Sequence, residues 1–277
     1  MFSNQFKNKK VLITGNTGFK GSWMTMWCLR LGAKVYGMSI SVPTKPSMFQ
    51  ILELEKKMSY HEVDVREYVK VKKKIDSIKP DVIFHFAAQP LVSQSYTFPL
   101  ETISTNVIGT ANILHALKES NFDCSVVIIT SDKCYDNVEW EYGYKETDSL
   151  GGKDIYSGSK GSAELIVQSY FHSFLKLSSS KVKVATGRAG NVIGGGDWAK
   201  DRIVPDCMRA WSKQKYVEIR KPNAIRPWQH VLEPLGGYLC LAEHLMNGRF
   251  NGEAFNFGPN PTDIYDVKKI INDLSDY

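Results

Sequence analysis

Short apolar runs and helically spaced apolar positions take turns along the first two-thirds of the chain. The run at 10–14 is followed by helical spacing over 18–31, and the run at 34–39 leads toward a helix over 66–78. Runs at 81–86 and 125–130 bracket helical spacing over 100–118, and a helix over 155–176 precedes a strand over 182–186. Strands this short and this continuously apolar are buried on both faces. Their alternation with helices predicts an α/β fold, a doubly wound parallel sheet covered on each side. A long loop over 131–154, rich in Gly, Asp and aromatic residues, enters the 155–176 helix. Beyond Arg188 the pattern changes to a glycine-rich stretch, GNVIGGGDW at 190–198, and shorter elements punctuated by Pro205, Pro222, Pro227 and Pro234. The pattern divides the chain into a nucleotide-binding sheet domain over 1–189 and a smaller lobe over 190–277.

Composition narrows the function. With 43% hydrophobic and 23% charged residues, 21 glycines and 11 prolines in 277 residues, the chain is neither disordered, collagenous nor a coiled-coil rod. Its 35 basic and 29 acidic residues leave a net charge of +6, which suits nucleic acid, an anionic membrane or a phosphorylated small molecule. The densest basic run, 70–74, shares its helix with Val71 and Ile75 and reads as a solvated helix face. No nucleic-acid motif accompanies it, so a phosphorylated metabolite is the expected partner. Cysteines 28, 124, 134, 207 and 240 form no CxxC pair, which argues against a disulfide framework and against a zinc site. The opening MFSNQFKNKKVLITG has no apolar stretch ahead of its charges, and no apolar run reaches the roughly 18 residues that span a bilayer. A soluble, reduced, cytoplasmic protein without a metal is expected.

Directly after the first strand, GNTGFKG places Gly15, Gly18 and Gly21 at GxxGxxG spacing. In a dinucleotide-binding Rossmann fold the first glycine makes the tight turn, the second admits the pyrophosphate and the third lets helix and strand pack closely. The helix that opens there offers free N–H groups and the positive end of its dipole. After the second strand, Ser39 stands where a carboxylate would hold an NAD ribose, and no arginine cluster for a 2′-phosphate follows. Asp64, in EVDVRE at the end of a third strand, is a candidate for the adenine edge or, alternatively, a helix N-cap.

Tyr156 and Lys160 form a YxxxK pair on one helix face. A nearby ammonium lowers a phenol's pKa and suits it to acid–base work on a sugar hydroxyl; moving it from about 10 to 7 takes roughly 4 kcal/mol. The same spacing occurs at Tyr68–Lys72 and Tyr265–Lys269, both in charged helical stretches. Tyr156 differs by its address, at the start of a helix entered from a loop that leaves a strand end at TSDK, 130–133. Ligands of open parallel sheets bind beyond such strand ends.

GxxGxxG, HFAAQ at 85–89, TNVIGT at 105–110 and YxxxK together resemble the extended short-chain dehydrogenase/reductase family of NAD-dependent epimerases and dehydratases. Within it GFKGSW, PTKPSMF, SDKCYDN, GGKDIYSGSKGSAEL, RAGNVIGGGDWA and RPWQHVLEPLGGYL are similar to the branch that dehydrates CDP-glucose. The resemblance implies NAD held by Gly15, Thr17, Gly18, Phe19, Lys20 and Gly21, by Asp64 and Val65, and by Phe86, Ala87 and Ala88, with Tyr156 and Lys160 at its reactive end. It implies substrate contacts from Gln89, Ser131, Asn191, Arg226 and Arg202, and leaves Trp228 and His230 to packing. The implied reaction is an internal redox at the sugar that yields a 4-keto-6-deoxy product, for dideoxyhexose and O-antigen synthesis. Tyr156 deprotonates the 4-hydroxyl, Ser131 hydrogen-bonds the sugar, and Asp132 and Lys133 form the elimination pair.

Lysine in that pair raises a question of roles. At ordinary pKa values the ionised pair is favoured over the neutral one by about 6.5 units, roughly 9 kcal/mol. Asp132 as acid with Lys133 as base requires desolvation to overturn that preference, whereas the reverse order does not. Both orders stay open on sequence. The segment NFGPNPTDIYDVKKIINDLSDY ends in what reads as a mid-lobe helix, so the second lobe is expected to be incomplete relative to the family. Two other readings therefore accompany the lyase: a nucleotide-sugar epimerase of the same fold, and a non-catalytic NAD-binding form. The family also implies a homodimer or higher homo-oligomer, formed through the Tyr156 helix and the one over 100–118.

Overall fold

The computed structural model describes residues 2–177, 179–260 and 265–275. Seven strands form one parallel sheet: β1 (Lys10–Thr14), β2 (Lys34–Ser39), β3 (Ser59–Glu62), β4 (Val82–His85), β5 (Cys124–Ile129), β6 (Val182–Ala189) and β7 (Ala254–Phe257). Their order is β7-β6-β5-β4-β1-β2-β3. The chain winds outward from β1 to β3, then returns to β4 on the other side of β1, so the strand order reverses between β1 and β4. That reversal opens a crevice at the carboxyl ends of the strands.

Alternation along the strands builds two cores. Val11, Ile13, Val82, Phe84 and Val127 turn to one face, under α1 (Phe19–Arg30) and α6 (Leu232–Met246). Leu12, Ile83, Val126, Ile128 and Val184 turn to the other, under α2 (Tyr68–Ile78), α3 (Gly109–Lys118) and α4 (Ile155–Tyr170). This is the doubly wound Rossmann α/β fold that the sequence pattern predicts.

Three expectations change in detail. The helix over 100–118 is interrupted: Pro99–Ile103 and α3 are joined by a π-helical turn at Ser104–Ile108, which carries the buried Asn106. The last strand runs past 186 to Ala189, because Thr186–Ala189 pairs with β7. The third strand ends at Glu62, two residues before Asp64. Residue 190 also does not divide the layers. The chain leaves the sheet there and forms α5 (Ile203–Trp211), but α6 and β7 return to cover and extend the same sheet. Of the closing segment, residues 261–264 and 276–277 lie outside the described residues. Among the described residues no helix is long and apolar enough to cross a membrane.

Candidate active site

The crevice is a cavity of about 1420 Å³ lined by both halves of the chain. That exceeds the roughly 300–1,000 Å³ of an ordinary single-ligand pocket and leaves room for two ligands side by side.

The glycine loop forms one wall. Gly15 has φ of +69°, and a Cβ there would sit 2.8 Å from the Ala87 nitrogen. A Cβ on Gly21 would lie 2.1 Å from the Gly15 carbonyl oxygen, so α1 packs on the loop only because that atom is missing. Gly18 begins α1 without a side-chain cap, and the amides of Phe19, Lys20 and Gly21 find no acceptor among the described residues. The loop therefore fits an anionic dinucleotide: open amides, a positive helix end and no side chain in the way. Thr17 and Ser39 are turned inward. Thr17 donates to the Ser41 carbonyl at 2.7 Å, and Ser39 donates to Asn16 at 2.8 Å. Ser39 thus serves the loop, and nothing at the end of β2 replaces the ribose carboxylate. Asp64 lines the cavity with Val65, pinned by Arg66 through hydrogen bonds of 2.7–3.0 Å; α2 starts only at Tyr68, so Asp64 is not its cap. Phe86, Ala87 and Ala88 line the cavity after β4.

The reacting groups stand on α4 and on the turn after β5. Asp154 caps α4 by accepting from the Ser157 amide at 3.0 Å and the Ser157 hydroxyl at 2.6 Å. The cap fixes where the helix starts, and the i, i+4 spacing then turns Tyr156 and Lys160 into the cavity together. Both are buried. Burial raises the Tyr156 phenol to about 12, reinforced by Asp132 and opposed by Arg202 and the Ser131 hydroxyl. This is opposite to the lowering expected from YxxxK, because in this site desolvation outweighs the neighbouring cations. Lys160 is lowered to about 8, again chiefly by burial. Beyond β5, Ser131 donates to Asp132 at 2.8 Å, and the Lys133 ammonium stands 3.6 Å from the same carboxylate. The other YxxxK tyrosines are elsewhere: Tyr68 packs its ring on His115 at 5.0 Å, and Tyr265 pairs with Arg226 in a two-residue strand.

Two polar clusters that spacing did not reveal hold these parts together. Asn106, from the π-helical turn, accepts from the Gln89 amide at 2.8 Å and donates to Ser159 on α4 at 2.8 Å. Beneath the site, Arg188 and Glu164 form a double hydrogen-bonded pair at 3.0 and 2.9 Å, with both side chains 1% exposed. Thr130 and Thr186 also donate to Glu164, while Arg188 donates to the Tyr135 hydroxyl at 2.8 Å. One network thus joins β5, β6, α4 and the first part of the long loop. The available signals were charged residues in otherwise buried contexts, Arg188 at a strand end and Glu164 on an inward helix face. His85 is structural: Thr14 and Thr110 hold its two ring nitrogens at 2.8 and 3.1 Å, and burial lowers its pKa to about 3.

The opposite wall comes from residues after 189. Asn191, Arg202 and Arg226 all line the cavity, as does Arg220, which the sequence analysis did not single out. The buried Asp197 binds Arg202 at 2.8 Å. Trp228 is buried and donates to the Tyr265 carbonyl at 3.1 Å, in keeping with packing, while His230 stands at the cavity edge with its ring 6.4 Å from Trp23. Among the described residues no group of three or more His, Cys, Asp or Glu side chains could hold a metal ion.

Known proteins share this architecture. The sequence profile of the GDP-mannose 4,6 dehydratase family matches residues 12–250. A CDP-glucose 4,6-dehydratase of Salmonella typhimurium is 47% identical over 275 residues, 98% of this chain and 77% of that protein. A UDP-glucose 4-epimerase of Mycoplasma pneumoniae is 25% identical over 264 residues, 90% of this chain and 76% of that one. Among solved structures, a dTDP-glucose 4,6-dehydratase from Streptomyces venezuelae with NAD bound superposes with a TM-score of 0.82 at 20% identity, covering 96% of this chain and 80% of that one, which shows a shared fold. With a profile match over most of its length and nearly half its residues identical to one dehydratase, the chain belongs to the GDP-mannose 4,6 dehydratase family.

Proposed function

We propose that the protein is an NAD-dependent hydro-lyase that converts CDP-glucose to CDP-4-keto-6-deoxyglucose. The observation that carries this reading is the meeting of Tyr156 and Lys160 with the Ser131–Asp132–Lys133 turn on one cavity large enough for two ligands. The 47% identity to a CDP-glucose 4,6-dehydratase supplies the substrate. The dinucleotide would lie along Gly15, Gly18, the Phe19–Gly21 amides and Asp64, with the Phe86–Ala88 segment opposite. NAD, when bound, supplies a transient oxidation at sugar C4 and its reversal at C6. Asn191, Arg202 and Arg226 would hold the diphosphate of the sugar nucleotide, a task suited to guanidinium groups, and Gln89 would border the sugar.

Tyr156 takes the proton of the 4-hydroxyl, held in line by the Ser131 hydroxyl. It does so as the phenolate, a form that its pKa of about 12 disfavours and that Arg202 and the Ser131 hydroxyl favour. Elimination then removes a proton from C5 and water from C6. Asp132 and Lys133 stand 3.6 Å apart, and the ordinary ionised order of the pair needs no desolvation to invert its charges. The carboxylate of Asp132 accepts the C5 proton, and the ammonium of Lys133 donates to the departing hydroxyl. A Lys133→Ala enzyme should then still exchange the C5 proton with solvent while forming little product; loss of that exchange would make Lys133 the base instead.

Incubation of the purified chain with NAD and CDP-glucose, followed by the alkali-induced absorbance of a 4-keto-6-deoxy sugar, tests the whole reading. Product from CDP-glucose and none from dTDP-glucose supports it. Interconversion at C4 without loss of water would point to an epimerase, and NAD binding without turnover to a non-catalytic form. The product is suited to dideoxyhexose synthesis for surface polysaccharide, and the buried free thiols of Cys28, Cys124, Cys134 and Cys207 favour a reduced, cytoplasmic setting. The exposed Leu100, Ile103, Ile108, Leu165 and Phe174 provide apolar surface for a homodimer through α4 and the 99–118 segment, measurable by light scattering.

A further inference from the structure

The turn that carries Ser131, Asp132 and Lys133 is held by few bonds of its own. It is a single 3₁₀ turn, closed by the Cys134 amide on the Ser131 carbonyl at 3.0 Å and the Tyr135 amide on the Asp132 carbonyl at 3.4 Å. The hydrogen bonds of so short a turn fix it poorly. Its two flanking residues, Thr130 and Tyr135, are buried, and the hydroxyl of each is tied to a different half of one ion pair. Thr130 donates to Glu164, and Tyr135 accepts from Arg188 at 2.8 Å. Tyr135 also donates to Asn256 on β7 at 2.7 Å and stacks its ring on that of Tyr144 at 5.0 Å. Glu164 lies eight residues after Tyr156 and four after Lys160, on the same face of α4. Both ends of the turn are thus tied to the helix that bears Tyr156. A buried ion pair adds little net stability, since both charges give up water and apolar side chains of like volume often serve as well. A guanidinium bonded twice to a carboxylate does fix direction, which apolar contacts do not.

We infer that Thr130, Tyr135 and the Glu164–Arg188 pair are positioning residues for the elimination step. By clamping both ends of the turn to α4, they set where the Asp132 carboxylate meets C5 of a sugar whose 4-hydroxyl is held at Tyr156. The inference rests on the dehydratase reading. In that step the C5–H bond breaks and its proton passes to Asp132. The electron pair left behind forms the C5–C6 double bond, and the C6 hydroxyl departs as water with a proton from Lys133. Tyr156 stands on its own capped helix, so loosening the turn slows proton transfer from C5 more than oxidation at C4. A displacement of about 1 Å is enough to cost up to about 10²-fold in rate.

Removing Glu164 or Arg188 would leave the other charge buried alone and endanger the fold, so the test loosens the clamp at its ends. Tyr135→Phe keeps the stacked ring and loses the bonds to Arg188 and Asn256; Thr130→Val keeps the side-chain shape and loses the bond to Glu164. The full chains are assayed for turnover of CDP-glucose carrying deuterium at C4 or at C5, with NAD affinity and melting temperature measured alongside. In each variant kcat should fall by about 10-fold while KM and NAD affinity stay within about twofold of wild type, and the C5 label should slow turnover more than the C4 label. A purely structural role would lower the melting temperature and leave kcat unchanged, and that outcome overturns the inference. A fall in kcat in which the C4 label slows turnover as much as the C5 label, or more, also overturns it, because the damage then lies at Tyr156. A wild-type chain that binds NAD and forms no 4-keto-6-deoxy product from CDP-glucose overturns the dehydratase reading and the inference with it, whereas the two outcomes before it overturn the inference alone.

Discussion

At the glycine loop, before residue 190, the cavity wall is made of backbone: two glycines whose missing Cβ atoms let the loop and α1 close up, and three amides left without acceptors among the described residues. On the wall after 189 it is made of long cationic side chains, Arg202, Arg220 and Arg226, carried on short elements and loops. The first wall tolerates almost no added atom, because its shape is set by main-chain contacts inside a close-packed sheet. The second is adjustable, because a guanidinium on a flexible stem can be moved or removed while the fold around it stays. Substitutions on the two walls should therefore fail in different ways.

The largest effect is expected at Gly21. A Cβ 2.1 Å from the Gly15 oxygen and 2.8 Å from the Asn16 Cα meets the backbone of the loop, so Gly21→Ala has to displace α1 or the loop. A cost of about 3 kcal/mol, or roughly 6–12 °C in melting temperature, is expected together with loss of measurable NAD binding. A thermal melt and an NAD titration check both. A Gly21→Ala protein that bound NAD normally would show that the tight packing is not what shapes the wall.

Next comes Tyr156→Phe, which keeps the ring in its buried place and removes only the proton carrier. Turnover should fall by about 10²- to 10⁴-fold, while melting temperature and NAD affinity stay close to wild type. That separation places the chemistry on α4 and apart from the architecture of the glycine wall. Arg226→Met, on the second wall, should raise KM for the sugar nucleotide by about 10- to 100-fold with kcat nearly unchanged, since a diphosphate contact acts alike on ground and transition states. If kcat fell in step instead, the adjustable wall would be shaping the reaction as well as holding the substrate.

The same contrast explains what could be read from sequence. Continuous apolar runs and glycine spacing are local signals, so β1, β2, the phosphate loop and the positions of Tyr156 and Lys160 were all legible. The end of the strand at Ala189 was not legible, because the partner that lets Arg188 be buried there, Glu164, lies on α4 and no neighbour in sequence announces it. The π-helical turn around Asn106 was hidden too, because its cause is the contact with Gln89 and Ser159 from distant segments. The return of α6 and β7 to the sheet was equally non-local, since a chain that leaves at 190 shows no sign of where it will rejoin. The direction of the Tyr156 pKa needed the burial itself; spacing supplied the nearby lysine but not the desolvation that outweighs it.

The smallest expected effect isolates address from pattern. Tyr68 and Lys72 repeat the YxxxK spacing on α2, yet Lys72 is paired with Asp76 on the same helix and the Tyr68 ring packs edge-on against His115. The α2 pair therefore has no access to the cavity, and its hydroxyl makes no hydrogen bond among the described residues. Tyr68→Phe removes one oxygen and keeps the ring contact, so stability should stay within about 0.5 kcal/mol and turnover should be unchanged. A parallel assay beside Tyr156→Phe makes the comparison direct. The same deletion in the same five-residue pattern should silence one position and leave the other untouched, because of the two helices α4 is the one that begins at a capped strand-end loop facing the glycine wall. A loss of activity in Tyr68→Phe would mean that α2 communicates with the site through His115 and the Tyr170 hydroxyl bonded to it at 3.0 Å on α4, and the two walls would no longer account for the site by themselves.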